Sequence, residues 1–119
     1  MGKASSRKGA QAERDIAAAL SDLLGLPVRR MLGAGRKDDI GDLDGIPNWT
    51  IQVANRANLG DTLRHKPIGC ERQQENAGTL FGATLMKLPP QPGGKPPEWR
   101  VVMTLEQWAV VVAGTAGEP

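Results

Sequence analysis

Charged residues are segregated along the first half of this 119-residue chain, in a pattern that suits chemistry on phosphate groups. Basic side chains outnumber acidic ones from Lys3 to Lys37, and a compact acidic cluster follows at once. The cluster consists of Asp38, Asp39, Asp42 and Asp44. Positive charge attracts phosphates and clustered carboxylates attract divalent cations, so the pattern favours a phosphate site beside a cation site. The alternative is a set of solvated surface charges that happen to segregate.

Length and composition limit the class of protein. A chain of 119 residues can build one domain with a single core, and we expect one domain over residues 1–119 with flexible tails at 1–6 and 114–119. The single cysteine, Cys70, excludes an internal disulfide and a zinc site of several thiolates. Because no apolar run is long enough for a membrane span or a secretion signal, we expect a cytoplasmic protein.

The hydrophobic pattern predicts elements in the order helix, three strands, helix, two strands, helix. The predicted segments are Arg7–Leu24, Val28–Leu32, Asp42–Ile46, Trp49–Asn55, Leu59–Asn76, Leu80–Leu88, Trp99–Met103 and Thr104 to about Ala113. Pro67 leaves open whether the second helical segment is one helix or two. Thr104 and Gln107 have the spacing of a capping box, and Trp108 is predicted to anchor the last helix to the core. The expected fold class is α/β, with a mixed central sheet flanked by helices.

Two elements place polar side chains where chemistry is plausible. Glu13 lies three residues before Ile16 and therefore on or beside the apolar face of the first helix. In the strand Trp49–Asn55, side chains alternate between the two faces of the sheet, so Thr50, Gln52 and Ala54 share one face. The sequence thus directs Gln52 to the opposite side from Ile51.

Four segments together resemble nucleases of the PD-(D/E)XK superfamily. They are Arg7–Asp15 in the first helix, Gly41-Asp42 before the hairpin, the strand segment Ile51–Asn55, and Glu71–Gln74 in the following helix. The likeness runs from Ser6 to Ala113 and is greatest to the Holliday junction resolvase-like endonucleases of actinobacterial phages. It implies a restriction-endonuclease-like core, a phage-encoded protein acting in the cytoplasm of a bacterial host, and a homodimer that cuts branched DNA with Mg²⁺ or Mn²⁺.

The resemblance also assigns roles to individual positions. It implies that Asp42 is a metal ligand and that Glu13 borders the metal site. Gln52 stands where these nucleases have a second acidic ligand, and Ala54 stands where they have a lysine. Gln73 or Gln74 matches a polar helix position that faces the site, and Gln74 is the stronger candidate. Catalysis would then rest on Glu13, Asp42 and Gln52.

The two changed positions decide whether the site can cut DNA. Phosphodiester hydrolysis needs charge stabilisation on the phosphoryl oxygens and an activated water, which a divalent ion held by oxygen ligands supplies. The amide oxygen of Gln52 can serve as a weaker, neutral ligand. Ala54 offers nothing in place of the ammonium, so a basic side chain must come from elsewhere. By position in the sequence the candidates are Lys37, Arg56 and Lys66.

Two functional hypotheses therefore remain open. The first is a metal-dependent, structure-selective DNA endonuclease. The second is a nuclease-fold protein that lost cleavage and binds DNA or another protein. Under either, the predicted DNA-binding side chains are Arg7, Lys8, Arg30, Arg36, Lys37, Arg56 and Lys66.

Simpler roles compete with some of these assignments. Asp42 and Asp44, each next to a glycine, are also typical turn residues that bond their own backbone. His65 is expected at a helix surface rather than as a general base, because no partner for it is evident.

Overall fold

The computed structural model describes residues 3–31, 40–55 and 58–116, with side chains from Gly9 onward. These ranges form helices and strands in the order αβββαββα, so the predicted order and the α/β class are confirmed. The helices are α1 (Lys3–Leu24), α2 (Leu59–Ala77) and α3 (Leu105–Ala116). The strands are β1 (Arg29–Arg30), β2 (Leu43–Asp44), β3 (Trp49–Ala54), β4 (Phe81–Lys87) and β5 (Trp99–Val102).

The five strands form one mixed sheet in the order β1-β2-β3-β4-β5. Strands β3 and β4 are parallel, and the other neighbours are antiparallel. A parallel pair needs a long crossover, and α2 supplies it between β3 and β4. Because β3 and β4 lie in the middle, both their faces are covered, and all of β3 from Thr50 to Ala54 is buried.

The helices form layers on the two faces of the sheet. Ala12, Ile16 and Ala17 of α1 share one core with Ile51 and Val53 of β3. The other face carries Gln52, whose amide lies beside Gly69 of α2. The predicted division of the β3 side chains between the two faces is therefore correct.

Helix α2 is continuous through Pro67, which settles the alternative that the sequence left open. The side chain of Asn58 caps its start by accepting a hydrogen bond of 3.0 Å from the backbone N–H of Asp61. Gly78 ends α2 in the left-handed conformation, with a φ of 70°. The sequence predicted this end, because helices commonly stop at a glycine. Because Pro67 lacks an N–H, the carbonyl of Leu63 has no helical donor. The side chain of Leu63 is half exposed.

Some predicted boundaries differ from the structure. Helix α1 begins at Lys3 rather than near Arg7, and β1 and β2 each have two residues. Gly114–Ala116, assigned to a tail, form the last turn of α3. Trp108 does not anchor α3 to the core, because it is 55 % exposed. Among the described helices, none is long and apolar enough to cross a membrane.

Candidate functional site

Asp42 is fixed beside β3 by two hydrogen bonds to its backbone. The Asp42 N–H donates to the Ile51 carbonyl at 2.8 Å, and the Asp42 Oδ2 accepts from the Val53 N–H at 2.8 Å. Asp42 comes just before β2, whose residue Leu43 pairs with Ile51. Its two hydrogen bonds reach the β3 residues on either side of Gln52. The structure thus brings Asp42 to the stretch of β3 that contains Gln52.

Gly41 permits this approach. The φ of Gly41 is 108°, a value that residues with a side chain rarely adopt. A Cβ at this position would lie 3.1 Å from the Ile51 carbonyl oxygen and 3.1 Å from Thr50 Cγ2. The Gly41-Asp42 pair therefore allows the chain to place a carboxylate against the middle of β3.

Gln52 is a buried polar side chain with an unused acceptor. It is 7 % exposed, and no described residue donates a hydrogen bond to its Oε1. A buried carbonyl without a partner costs about 1–3 kcal/mol, so such an atom is usually completed by water, an ion or a ligand. The carboxylate of Asp42 contacts the next residue of β3, Val53, so two oxygen donors lie along this part of the strand.

Ala54 carries only a methyl group, so β3 supplies no ammonium at this position. Its side chain is 2 % exposed and pairs across the parallel ladder with Met86. The methyl group therefore fills a closely packed position.

A cleft opens beside Gln52 at the start of α2. It encloses about 480 Å³ and is lined by Gln52, Asn58, Asp61, Thr62, His65, Lys66 and Gly69. Thr62, Lys66 and Gly69 follow one another at helical spacings of four and three residues, which places them along one side of α2. Of the basic residues considered as substitutes for the strand lysine, Lys66 lines the cleft, whereas Lys37 and Arg56 lie outside the described residues.

The charges around the cleft are of both signs. His65 Nε2 lies 3.3 Å from Asp61 Oδ1, on side chains that are largely exposed. Deeper in the layer, burial raises the pKa of the Cys70 thiol, and the negative charge of Asp42 adds to that rise.

Glu13 lies in a different layer. Its Oε1 accepts a hydrogen bond from Arg30 Nε at 2.9 Å, and both belong to the α1 side of the sheet, across from Gln52. The structure does not bring Glu13 to the Gln52 side, and it gives Arg30, a predicted DNA contact, a carboxylate partner. Arg29 instead pairs with Asp44 at 3.1 Å, so Asp44 has a surface role.

The two glutamines of α2 have separate roles. Gln74 Oε1 accepts from Gln107 Nε2 at 2.6 Å, and Gln74 Nε2 donates to the Leu80 carbonyl at 3.2 Å. Gln74 therefore joins α2, β4 and α3 and lies away from the cleft that contains Gln52. Gln73 is 5 % exposed and continues the side of α2 that carries Gly69, so it is the better candidate for the position facing the site.

The remaining predicted DNA contacts are only partly described. Arg7 and Lys8 belong to α1, but their side chains are outside the described part of the structure. Residues 32–39, which include Arg36, are outside it as well. Sequence reasoning missed Asn58, Asp61 and Thr62 as cleft residues. The capping spacing of Asn58 and Asp61 marks the start of α2, and that start forms one wall of the cleft.

Comparison with known proteins leaves the family open. No family model matches this chain, and no curated protein or solved structure is detectably similar. Function must therefore be argued from the site itself.

The residues present fit a magnesium ion of the kind that keeps most of its water. Mg²⁺ is often bound through one or two carboxylates together with waters and substrate phosphates. Asp42 supplies a carboxylate, and the unused Oε1 of Gln52 supplies a second oxygen. Within the described ranges no three His, Cys, Asp or Glu side chains converge.

Proposed function

We propose that this protein is a metal-dependent, structure-selective DNA endonuclease of the Holliday junction resolvase type, with a restriction-endonuclease-like core. One observation carries the proposal: Gln52, which lies between the two β3 residues that hydrogen-bond to Asp42, shares a cleft with Lys66 of α2. The nucleases that the chain resembles have an Asp just before the turn that leads to this strand, and a carboxylate and a lysine on the strand itself. Here the ammonium comes from the neighbouring helix.

Each residue has a defined task in this reaction. Asp42 and Gln52 would hold the metal, which when bound neutralises charge on the phosphoryl oxygens and lowers the pKa of an attacking water. The ammonium of Lys66 binds the scissile phosphate and stabilises the negative charge that grows on it during attack. The half-buried position of Lys66 in the cleft wall reduces solvent screening and strengthens that interaction.

The expected partner is branched DNA held by a homodimer. Two strands must be cut at related positions, and a twofold dimer presents two identical sites for this purpose. The net charge of +2 is small, so DNA affinity would depend on the local concentration of basic residues near the site.

A second candidate function is DNA binding without cleavage. It is favoured by the closed packing of Ala54 and by the neutral amide at Gln52, which together weaken both ion affinity and charge stabilisation. In that case the cleft and its lysine would serve to hold a phosphate.

Incubation of the purified protein with a labelled four-way junction and with its matched duplex tests both candidates. Magnesium, manganese and chelator are compared for the unmodified chain, for Asp42→Asn and for Lys66→Ala. Lys95→Ala, at an exposed loop lysine, is the matched control. Metal-dependent nicking that both site variants abolish supports the enzyme. A retarded but uncut junction in every metal, with cleavage appearing only in Gln52→Glu/Ala54→Lys, supports the binding protein.

A further inference from the structure

Asp61 and His65 place two metal-binding side chains at the cleft beside Gln52. His65 Nε2 lies 3.3 Å from Asp61 Oδ1, and both residues line the cleft. This contact supplies the partner for His65 that the sequence did not reveal. The two side chains are 71 % and 64 % exposed, and exposed contacts of this kind add little to stability. A ligand can therefore displace the contact at small cost to the fold.

The geometry of the pair suits two neighbouring ligands of one ion. Zinc binds imidazole nitrogen at about 2.0–2.1 Å and carboxylate oxygen at about 2.0–2.2 Å, which places adjacent tetrahedral ligands roughly 3.3–3.5 Å apart. The observed separation of 3.3 Å lies in this range. Residues four apart on a helix lie on the same side, and helical zinc motifs use this spacing for their two histidines. An ion can thus bind both side chains without a change in the backbone.

The first turn of α2 is fixed without the carboxylate of Asp61. Asn58 Oδ1 accepts a hydrogen bond of 3.0 Å from the backbone N–H of Asp61. Thr62 is buried, and its hydroxyl donates to the Asn58 carbonyl at 2.7 Å. The helix therefore holds Asp61 by its backbone, and the carboxylate can bind an ion without loss of the cap.

A second, independent observation points to a ligand in this cleft. Gln52 is 7 % exposed, and no described residue donates a hydrogen bond to its Oε1. Gly69 follows His65 by four residues and lies beside this amide, since a Cβ on Gly69 would be 3.8 Å from Gln52 Oε1. Because Gly69 has no side chain, the row of Asp61, His65 and Gly69 leads from two ligands to an unused acceptor. Metal-bound water is more acidic than bulk water and is the kind of donor that this oxygen lacks.

The ligand types select the kind of ion. Imidazole nitrogen suits zinc and other late first-row transition-metal ions, whereas Mg²⁺ prefers oxygen ligands. One histidine and one carboxylate fill two positions of a tetrahedral zinc shell and leave two for water. The cleft encloses about 480 Å³ and has room for such a hydrated ion. Lys66 lines the same cleft, and its positive charge lowers the affinity for any cation.

We propose that Asp61 and His65 bind a zinc ion, or a transition-metal ion of the same class, whose coordinated water donates a hydrogen bond to Gln52 Oε1. The site goes beyond the proposed function, because neither of these α2 residues has a task in that reaction. A carbonyl oxygen has two lone pairs, so Gln52 keeps the role that the proposed function gives it. The tests below contain no DNA. Failure to bind zinc and failure to cut a junction are therefore separate results.

A zinc titration monitored by NMR is the first test, and it is direct because His65 is the only histidine in the chain. Zinc chloride is added to the full chain without an affinity tag, and calorimetry gives the affinity and the stoichiometry. One ion per chain and a saturable shift of the His65 ring signals are expected, with no such shift in Mg²⁺ at equal concentration. Cys70 is 0 % exposed and should not compete for zinc. Unmoved His65 signals at saturating zinc, or the same shift in Mg²⁺, would overturn the proposal.

Substitution of the two ligands is the second test. Asp61→Asn and His65→Ala should each remove saturable zinc binding, because one protein ligand alone holds the ion too weakly. Asp15→Asn is the matched control. It removes an exposed carboxylate that accepts a hydrogen bond of 2.7 Å from Gln11, four residues earlier on α1, and should leave the zinc affinity unchanged. Equal zinc affinities of Asp61→Asn and Asp15→Asn would rule out Asp61 as a ligand and with it the site.

Two further variants test whether the ion lies in the cleft. Gln52→Leu removes the acceptor for the metal-bound water and should weaken zinc binding by about tenfold. Lys66→Ala removes a positive charge and should strengthen zinc binding. Circular dichroism shows whether each variant folds, and Lys66→Ala decides the question if Gln52→Leu does not. Zinc affinity that neither change alters would place the ion on the outer surface of α2 and contradict its link to Gln52.

Discussion

Gln52 and Lys66 line one cleft, although one lies on β3 and the other on α2. In the sequence they are separated by the last two residues of β3, a connection and the first two turns of α2. Asn58 caps the start of the helix, and Gly69 lies beside Gln52. These contacts hold α2 so that Lys66 lines the cleft next to the strand. Under the proposed function, the ammonium of Lys66 replaces the one that the strand lacks.

Replacement of Lys66 should separate binding from cleavage. We expect Lys66→Ala to lower the rate of junction cleavage by about a hundredfold or more, since it removes a charge that stabilises the transition state. Junction affinity should fall by much less, because one phosphate contact among several is lost. Single-turnover cleavage and electrophoretic mobility shifts measure the two effects. A cleavage rate equal to that of Lys95→Ala would exclude Lys66 from the reaction.

Gln52→Glu should make stability depend on metal. A carboxylate at this buried position adds a negative charge to the stretch of β3 that Asp42 contacts. The melting temperature should therefore fall in chelator and recover with added Mg²⁺ or Mn²⁺, more than it does for the unmodified protein. Thermal unfolding monitored by circular dichroism measures this. As a control, Gln11→Glu on the exposed side of α1 should show no metal response.

The Cys70 thiol should make the protein less stable at alkaline pH. Burial raises its pKa, so the folded chain retains a proton that the unfolded chain releases. Below the unfolded thiol pKa of about 8.5 both states are protonated and the contribution is constant. As the pH rises beyond that value the unfolded state gains stability, and the free energy of unfolding falls.

Denaturant titrations from pH 7 to pH 10 should show this decline, and Cys70→Ala should remove it. The absence of tyrosine from the chain leaves few other groups to titrate in that window. The same alkaline slope in Cys70→Ala would assign it to lysines instead.

Loss of the capping box should weaken α3. The Gln107 N–H donates to Thr104 Oγ1 at 3.0 Å, and the Thr104 N–H donates to Gln107 Oε1 at 3.0 Å. Thr104→Ala removes the first of these bonds and should lower the free energy of unfolding by about 1 kcal/mol. Thr104→Ser retains the hydroxyl and should cost much less. Urea denaturation gives both values, and equal losses would show that the methyl group rather than the cap is responsible.

The sequence alone determined the features that depend on nearby residues. Periodicity and caps gave the order of the elements, the end of α2 at Gly78 and the capping box of Thr104, because these arise from hydrogen bonds within a few residues. The alternation of β3 correctly separated Ile51 from Gln52. The position of Asp42 next to a glycine also identified it as a candidate site residue.

Only the tertiary structure decided which distant side chains meet. Pairing of the chain before β2 with β3 brought Asp42 to Ile51 and Val53. The α2 crossover brought Lys66 to the cleft of Gln52, and helix packing placed Glu13 beside Arg30 on the other face. The same packing gave Gln74 a bracing role and turned Trp108 outward. Periodicity identifies the apolar side of a helix but not what covers it, because burial depends on elements far away in the chain.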